Sequence, residues 1–351
     1  MLRIARQAAV FAVGILVSLV VAVPAVAVVT PEHVLGEKGT DEGLGYVNDQ
    51  NITWMGNSKA HPKHYDAFAE LLTGGSRVRL NAPGTEGYPG GFDPGTNTVI
   101  YQQAAQRSDI YFYNLDTQER ARVPDVNNRS WEWGPEISTG YILFAREFKR
   151  NGTWHNSLLL YNRGTQHTKT IDTWGPNPYT PTGGVGDSYA SWAVCTKTCR
   201  AYVYDIAAGT TRKIPTVNGR WQYSPVVDEV NGEVYFVRSG AKCGANVGIW
   251  RLPIAEFGAI PTEIVDLPDR IDTSGVLSLT SNASVVGSQD IYFDRWSCRR
   301  DESDVYAARD VTSLPDATAA MPTSTDVPRS TFEKVDDPRL RLERSRTDTE
   351  R

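Results

Sequence analysis

His61-Pro-Lys-His64-Tyr-Asp66 places two of the chain's five histidines and a carboxylate within six residues. Such a set could hold a divalent cation or supply a general base near neutral pH. Pro62 prevents a helical H-x-x-H face, and no third histidine is near in sequence. The segment therefore reads as a solvated loop, and no metal site is expected. The second chemical set is carboxylic: Asp93, Glu132, Glu136, Asp187, Asp228 and Asp294. Glycoside cleavage needs two such groups facing one another across a cleft. Their spacing does not say which of them converge. There is no G-x-S-x-G nucleophile elbow. Gly183-Gly-Val-Gly186 is followed by no helical pattern that would make it a phosphate loop. No cofactor is expected.

The elements that must position these groups repeat. Trp54, Tyr101, Phe144, Trp192, Phe236 and Phe293 each end a short apolar run, at spacings of 47, 43, 48, 44 and 57 residues. Phe68, Tyr113, Tyr161, Tyr204, Trp250 and Tyr306 follow in step. Two columns in phase mean one unit of about 45 residues used six times, a period with several short strands per unit that marks a β-propeller blade. The expected fold is all-β, a six-bladed β-propeller of four-stranded antiparallel blades. In 131–172, WEWGPEIS, YILFARE, SLLLYNR and HTKTID read as four strands, with FKRNGTWHN a loop between the second and third. The blades are placed at 28–80, 81–126, 127–173, 174–217, 218–270 and 271–310. The fifth carries an insertion after Trp250. The sixth lacks an evident fourth strand, and Val28–Leu35 is the candidate to supply it from the other end of the chain.

Arg3 and Arg6 precede an uncharged stretch, Ala8–Val29, that contains Pro24 and an Ala25-Val26-Ala27 box. We read residues 1–27 as a cleaved signal peptide, with an uncleaved membrane anchor as the rival. Cleavage takes two arginines from a formal charge of −5 and leaves −7. That argues against a nucleic-acid partner, without excluding a local basic patch. Residues 28–310 are the propeller. Residues 311–351, Ser/Thr/Pro-rich and then charged, read as a disordered tail. Four cysteines in an exported chain suggest disulfides. Cys195 and Cys199 bracket the tight link between the second and third strands of one unit. Cys243 and Cys298 fall in the same link of the next two units. The expected bridges are 195–199, closing a hairpin, and 243–298, stapling neighbouring blades.

Pro89, Pro135, Pro181 and Pro225 form a further column, with an aromatic two residues before the last three: Trp133-Gly-Pro135, Tyr179-Thr-Pro181 and Tyr223-Ser-Pro225. In the second unit, Tyr88 directly precedes Pro89. The pattern resembles the W-S-P-D-G opening of the WD40-like repeats of TolB-type six-bladed propellers, over blades two to five. The Asp-Gly half of that motif is degraded, and blades one and six lack the proline. The resemblance implies an extracytoplasmic interaction module in the cell envelope, with no carry-over of the Tol–Pal role. Trp131, Trp133, Trp174, Tyr179, Trp221 and Tyr223 are then the candidate ligand-binding residues. They are expected to cluster at one channel mouth and to stack on sugar rings or anchor a peptide. The expected function is a secreted, non-catalytic module engaging a protein or a cell-wall glycan. The alternative is a polysaccharide-active hydrolase or lyase using channel carboxylates or the His61/His64 region.

Overall fold

The computed structural model describes residues 30–36, 42–58, 61–175, 182–216, 220–268, 270–273, 277–281, 289–298, 303–309 and 311. The expected signal peptide and nearly all of the expected tail lie outside these, as does Tyr179. Blade one is β2 (Glu42–Val47), β3 (Asn51–Ser58), β4 (His61–Leu71) and β5 (Val78–Arg79). Blade two is β6 (Glu86–Phe92), β7 (Thr98–Ala104), β8 (Ser108–Asn114) and β9 (Arg120–Arg122). Blade three is β10 (Trp131–Ile137), β11 (Tyr141–Arg150), β12 (Thr153–Asn162) and β13 (His167–Trp174). Blade four is β14 (Thr182–Val185), β15 (Tyr189–Cys195), β16 (Cys199–Asp205) and β17 (Thr210–Lys213). Blade five is β18 (Trp221–Asp228), β19 (Glu233–Ser239), β20 (Gly248–Pro253) and β21 (Thr262–Asp266). In each blade, consecutive strands pair antiparallel in chain order.

Blade six closes the ring. Its inner strand is split into β22 (Ile271–Asp272) and β23 (Leu277–Ser281), both paired with β24 (Gln289–Ser297), which pairs with β25 (Ser303–Ala308). The outer strand is β1 (Glu32–Leu35), with Glu32 opposite Ala307 and His33 opposite Tyr306. The first strand of the chain thus covers the edge that the last blade would expose. Arg309 adds a clasp, bonding Asp290 Oδ2 at 2.7 Å and reaching Glu32 Oε2 at 3.3 Å.

The aromatic columns explain why the blades stack. Side chains alternate across a strand, so one strand position always faces one neighbour. All six residues of the first column lie on the second strands and are almost fully buried. Each packs on the preceding blade. Tyr101 meets Ala67 and Ala69, Phe144 meets Ile100 and Ile110, and Trp192 meets Leu158 and Leu160. Phe236 meets Val203, Phe293 meets Val237 and Ile249, and Trp54 meets Tyr292 and Val305 across the closure. The second column mixes two registers. Phe68, Trp250 and Tyr306 stand directly opposite the first-column aromatic. Tyr111, Leu159 and Tyr202 hold that place in blades two to four, with Tyr113, Tyr161 and Tyr204 two residues further on. A step of two keeps the same face, so both registers fill the same interface.

Pro89, Pro135 and Pro225 sit on the inner strands, which shift register at a bulge in blades one to five, and Pro181 lies outside the described residues. The residue before the proline has positive φ in two of them, Gly134 at 57° and Ser224 at 51°. The inner strands approach so closely that a Cβ on Gly90 would lie 2.1 Å from Pro135 O, and one on Gly183 1.9 Å from Pro225 O. Glycine is required there by the neighbouring backbone rather than by its own φ.

Three expectations are corrected. FKRNGTWHN is not a loop: β11 and β12 run on as ten-residue strands to a turn at Asn151-Gly152, with φ of 52° and 78°. Asn-Gly supplies the two positive-φ positions of a tight hairpin turn, so strand pairing continues to the tip. Trp174 does not open blade four but ends β13, the outer strand of blade three, opposite Asn156. The solvated loop expected around His61 and His64 is strand, because β4 runs from His61 to Leu71.

Candidate binding face

Chain direction decides which residues share a mouth of the channel. Within a blade the strands alternate up and down, so the start of each inner strand and the link between strands two and three emerge on the same side. Trp131 begins β10 and Trp221 begins β18, opposite Glu147 and Ser239, and both are half-buried. Trp133, opposite Ala145, is also half-buried and lies one step further into the channel. The β11–β12 hairpin adds Phe148 stacked on His155 at 5.8 Å, and Lys149 over the ring of Trp154 at 4.5 Å. The hairpin base is braced from below, because the His155 ring covers Gly175 so closely that a Cβ there would lie 2.1 Å from Nδ1.

The other sequence-derived aromatics have packing roles. Trp174 lies 6.4 Å from Trp192 and against the core between blades three and four. Tyr223 packs on the core between blades five and six and donates its hydroxyl to Asp272 Oδ1 at 3.0 Å. Burial, reinforced by the Asp272 carboxylate, pushes its phenol well up. Asp272 also accepts the amides of Gly244 and Thr273. Its own carboxyl is raised by burial against those bonds.

Both expected disulfides are present on this side. Cys195–Cys199 joins directly opposed residues at the tip of β15–β16. Cys243–Cys298 links the corresponding segments of blades five and six. Cys243 and Cys298 lie beside Asp272, but sulfurs bonded to one another offer no thiolate to a metal.

The six carboxylates singled out in the sequence all bond groups of the fold, and three of them, Asp93, Asp187 and Glu136, tie one blade to another. Glu132, fully buried, accepts from Arg146 Nε at 2.8 Å, and Arg146 also bonds Val126 O at 2.6 Å. Burial raises the Glu132 carboxyl and the Arg146 bond pulls it back. Asp93 takes a two-pronged bond from Arg163 at 2.7 and 2.9 Å, tying blade two to blade three. Asp187 accepts Gly140 N, Asp294 accepts Thr273 Oγ1, and Asp228 caps its own turn through Val230 N and Asn231 N. Glu136 accepts from the hydroxyl of Tyr46, which also reaches Gly183 O at 3.4 Å. Tyr46 belongs to blade one and its partners to blades three and four. The tyrosine therefore spans the axis, toward the end of the channel away from Trp131 and Trp221.

His64 lies 3.4 Å from Asp66, which is held at 2.6 Å by Arg79 and at 2.9 Å by Asn81 Nδ2. The side chain of His61 lies outside the described residues. Nearby Glu86 accepts from Tyr88, and its carboxyl is raised chiefly by burial, with His64 acting to lower it. Glu86 has no counterpart among the sequence-derived sites; it sits at the start of an inner strand with no spacing signal. An arginine column was also missed, although its signal is legible as F-x-R in blades three, five and six: Arg146, Arg238 and Arg295. Arg146 and Arg238 each lie over the aromatic two residues before, at 5.3 Å. Burial brings Arg238 down to about 10.

No family model and no curated protein matches this sequence. Among solved structures, the chain is similar to TolB from Acinetobacter baumannii at 13% identity and a TM-score of 0.49, covering 74% of this chain and 64% of that one. A putative TolB from Agrobacterium tumefaciens gives 11% identity and 0.48, covering 76% and 89%. An oligogalacturonate lyase from Vibrio parahaemolyticus gives 10% and 0.47, covering 80% and 85%. The chain spans about two thirds of the Acinetobacter TolB it matches. These likenesses concern the propeller architecture alone. No helix among the described residues is long and apolar enough to cross a membrane.

Proposed function

We propose that this protein is an exported, non-catalytic binding module that engages its ligand at the face carrying Trp131, Trp133, Trp221 and the β11–β12 hairpin. The observation that carries this reading is the employment of the carboxylates. Glu132, Glu136, Asp93, Asp187, Asp228 and Asp294 each bond a group of the fold itself. Trp131, Trp133 and Trp221 stay half-buried on a scaffold braced by two disulfides. Rigid, partly exposed aromatic surface suits stacking on a pyranose or anchoring a peptide, because little side-chain freedom is lost on binding. The disulfides also suit an oxidising compartment, hence secretion or the cell envelope.

The test is retention of a partner from cell-envelope extract and culture supernatant by the purified chain, beside a Trp131→Ala/Trp221→Ala variant. A protein or glycan held by the native chain and lost by the still-folded variant supports the reading. Retention indifferent to both substitutions moves the site elsewhere. A second reading, a polysaccharide-active enzyme, is favoured by one observation, the raised Glu86 carboxyl close to His64 and Asp66. Glycan cleavage abolished by Glu86→Gln and His64→Ala would replace the binding reading.

A further inference from the structure

We infer that the ligand of this face is an acidic pyranose polysaccharide, bearing carboxylates along its chain. The inference rests on the binding reading above and adds the charge of the partner.

The two sides of the disc differ in charge although the whole chain is acidic. On the tryptophan side, the hairpins of second and third strands carry Arg107 in blade two, Lys149 and Arg150 at the end of β11 in blade three, Lys197 in blade four and Lys242 in blade five, all exposed. None of the four links between those strands contains an Asp or Glu. Arg129, exposed, adds a cation two residues before Trp131, and against these six cations this side exposes Asp125, Asp172 and Asp266 where outer strands end. Arg107 lies 3.7 Å from Asp109, but that carboxylate also bonds Arg122 at 2.8 Å, so two cations share one anion. The opposite side presents exposed Asp49, Asp116, Glu119, Asp187, Glu229 and Glu256 on its turns. Its Arg163 is held by Asp93, and its exposed Arg77, Arg120 and Lys169 are outnumbered by those six acids.

Separation of this kind orients an anion toward one face and away from the other, since a strand of 7 residues sets the faces roughly 20 Å apart, beyond the Debye length of about 8 Å at physiological salt. Charge alone would suit any polyanion. The tryptophans narrow the class: half-buried Trp131, Trp154 and Trp221 stand among the cations, with Lys149 over the Trp154 ring, and a uronate-type polymer supplies a ring to pack on them and one carboxylate per sugar. A polymer of phosphodiester-linked small polyols has the charge without the ring. A nucleic acid has both, but its charge density calls for a continuous basic groove, whereas these cations stand singly on separate blades.

The test measures binding of the purified full chain to polygalacturonate, to a neutral dextran and to single-stranded DNA, by affinity electrophoresis and titration calorimetry at low and high salt. Lys149→Glu/Arg150→Glu and Lys197→Glu/Lys242→Glu are exposed changes that leave the blade cores untouched. Asp116→Lys/Glu119→Lys is the control on the other side. Polygalacturonate binding that weakens with salt and falls roughly tenfold in each Glu variant is expected, from two exposed charge contacts reversed at a time. The control should bind as the native chain does. Equal retention of dextran, insensitive to salt and to charge reversal, overturns the charge assignment and leaves the binding face standing. Tighter binding of DNA, lost in the same variants, overturns it in favour of a nucleic acid. Binding of none of the three overturns the inference, while the tryptophan-dependent retention of an extract partner still decides the reading beneath it.

Discussion

Arg146→Met removes the cation from a buried pair and leaves Glu132 in place. Glu132 is fully buried and its Oε1 is held by Arg146 at 2.8 Å. Arg146 also satisfies Val126 O and lies over Phe144. Breaking a buried pair from one side costs about 3–5 kcal/mol, because the remaining charge keeps its desolvation penalty and loses its compensation. At about 2–4 °C per kcal/mol for a chain of this size, the melting temperature should fall by roughly 6–20 °C. The loss should depend on pH in a definite sense. Burial already lifts the Glu132 carboxyl, and Arg146 opposes that lift. Without the arginine the folded carboxyl binds its proton at higher pH than the unfolded one. The stability that protonation brings is present at low pH and lost as pH rises through the folded value. The gap between native and variant should therefore be wide near pH 8 and narrow toward pH 5. The assay is thermal unfolding followed by tryptophan fluorescence at both pH values, with Glu132→Gln and the double variant completing a cycle. A variant within about 1 °C of native at pH 8, or a double variant less stable than either single one, would refute the buried-pair reasoning.

Three further outcomes are expected. Replacing Cys243 and Cys298 by Ala opens a loop of 55 residues and should cost about 4 kcal/mol, against about 2 kcal/mol for the 4-residue loop of Cys195 and Cys199, by denaturant unfolding. Equal losses would argue against chain entropy as the cause. Ser224→Gly relieves a φ of 51° at the bulge where blade three carries Gly134, and should stabilise by about 1 kcal/mol in the same assay. Destabilisation would mean that the hydroxyl matters more than the backbone. Glu263 has its carboxyl pushed up to about 7 by burial and by Asp266, against Arg220 and Arg238. The folded value exceeds the unfolded one, so its contribution is present below about pH 4.5 and lost as pH rises through 7. Glu263→Gln should flatten the fall in melting temperature over that interval; an unchanged slope would assign it to another group.

The legible features were those that repeat or lie close along the chain. Trp54 and its five counterparts recur because every blade must present one large apolar group to the blade before it, and strand alternation converts that need into spacing. The two disulfides followed from the same register, since equivalent links lie on one side of the disc. The missing fourth strand of blade six was legible as a gap, and β1 fills it. The extended β11–β12 hairpin is hard to read from sequence although Asn151-Gly152 carries its turn signal, because a polar stretch between two apolar runs also fits a loop. Trp174 was misplaced because its position just past the expected blade boundary looked like the start of the next inner strand. It is the last residue of the previous outer one.

The sequence by itself determined an all-β ring of six repeated units, the partners of its cysteines and the end of the chain that closes it. All of these depend on local period or on register within the repeat. Only the tertiary structure decided that Tyr46 crosses the axis to Glu136 and Gly183, that Glu132 belongs to Arg146, and that Tyr223 is held by Asp272. It alone also set the tryptophans of one mouth among exposed cations that outnumber the acids on that side. Around a ring, neighbours in space can be 90 or 137 residues apart in the chain, as Tyr46 and its partners are. Such contacts depend on closure and on the approach of inner strands, neither of which leaves a periodic trace in the order of residues.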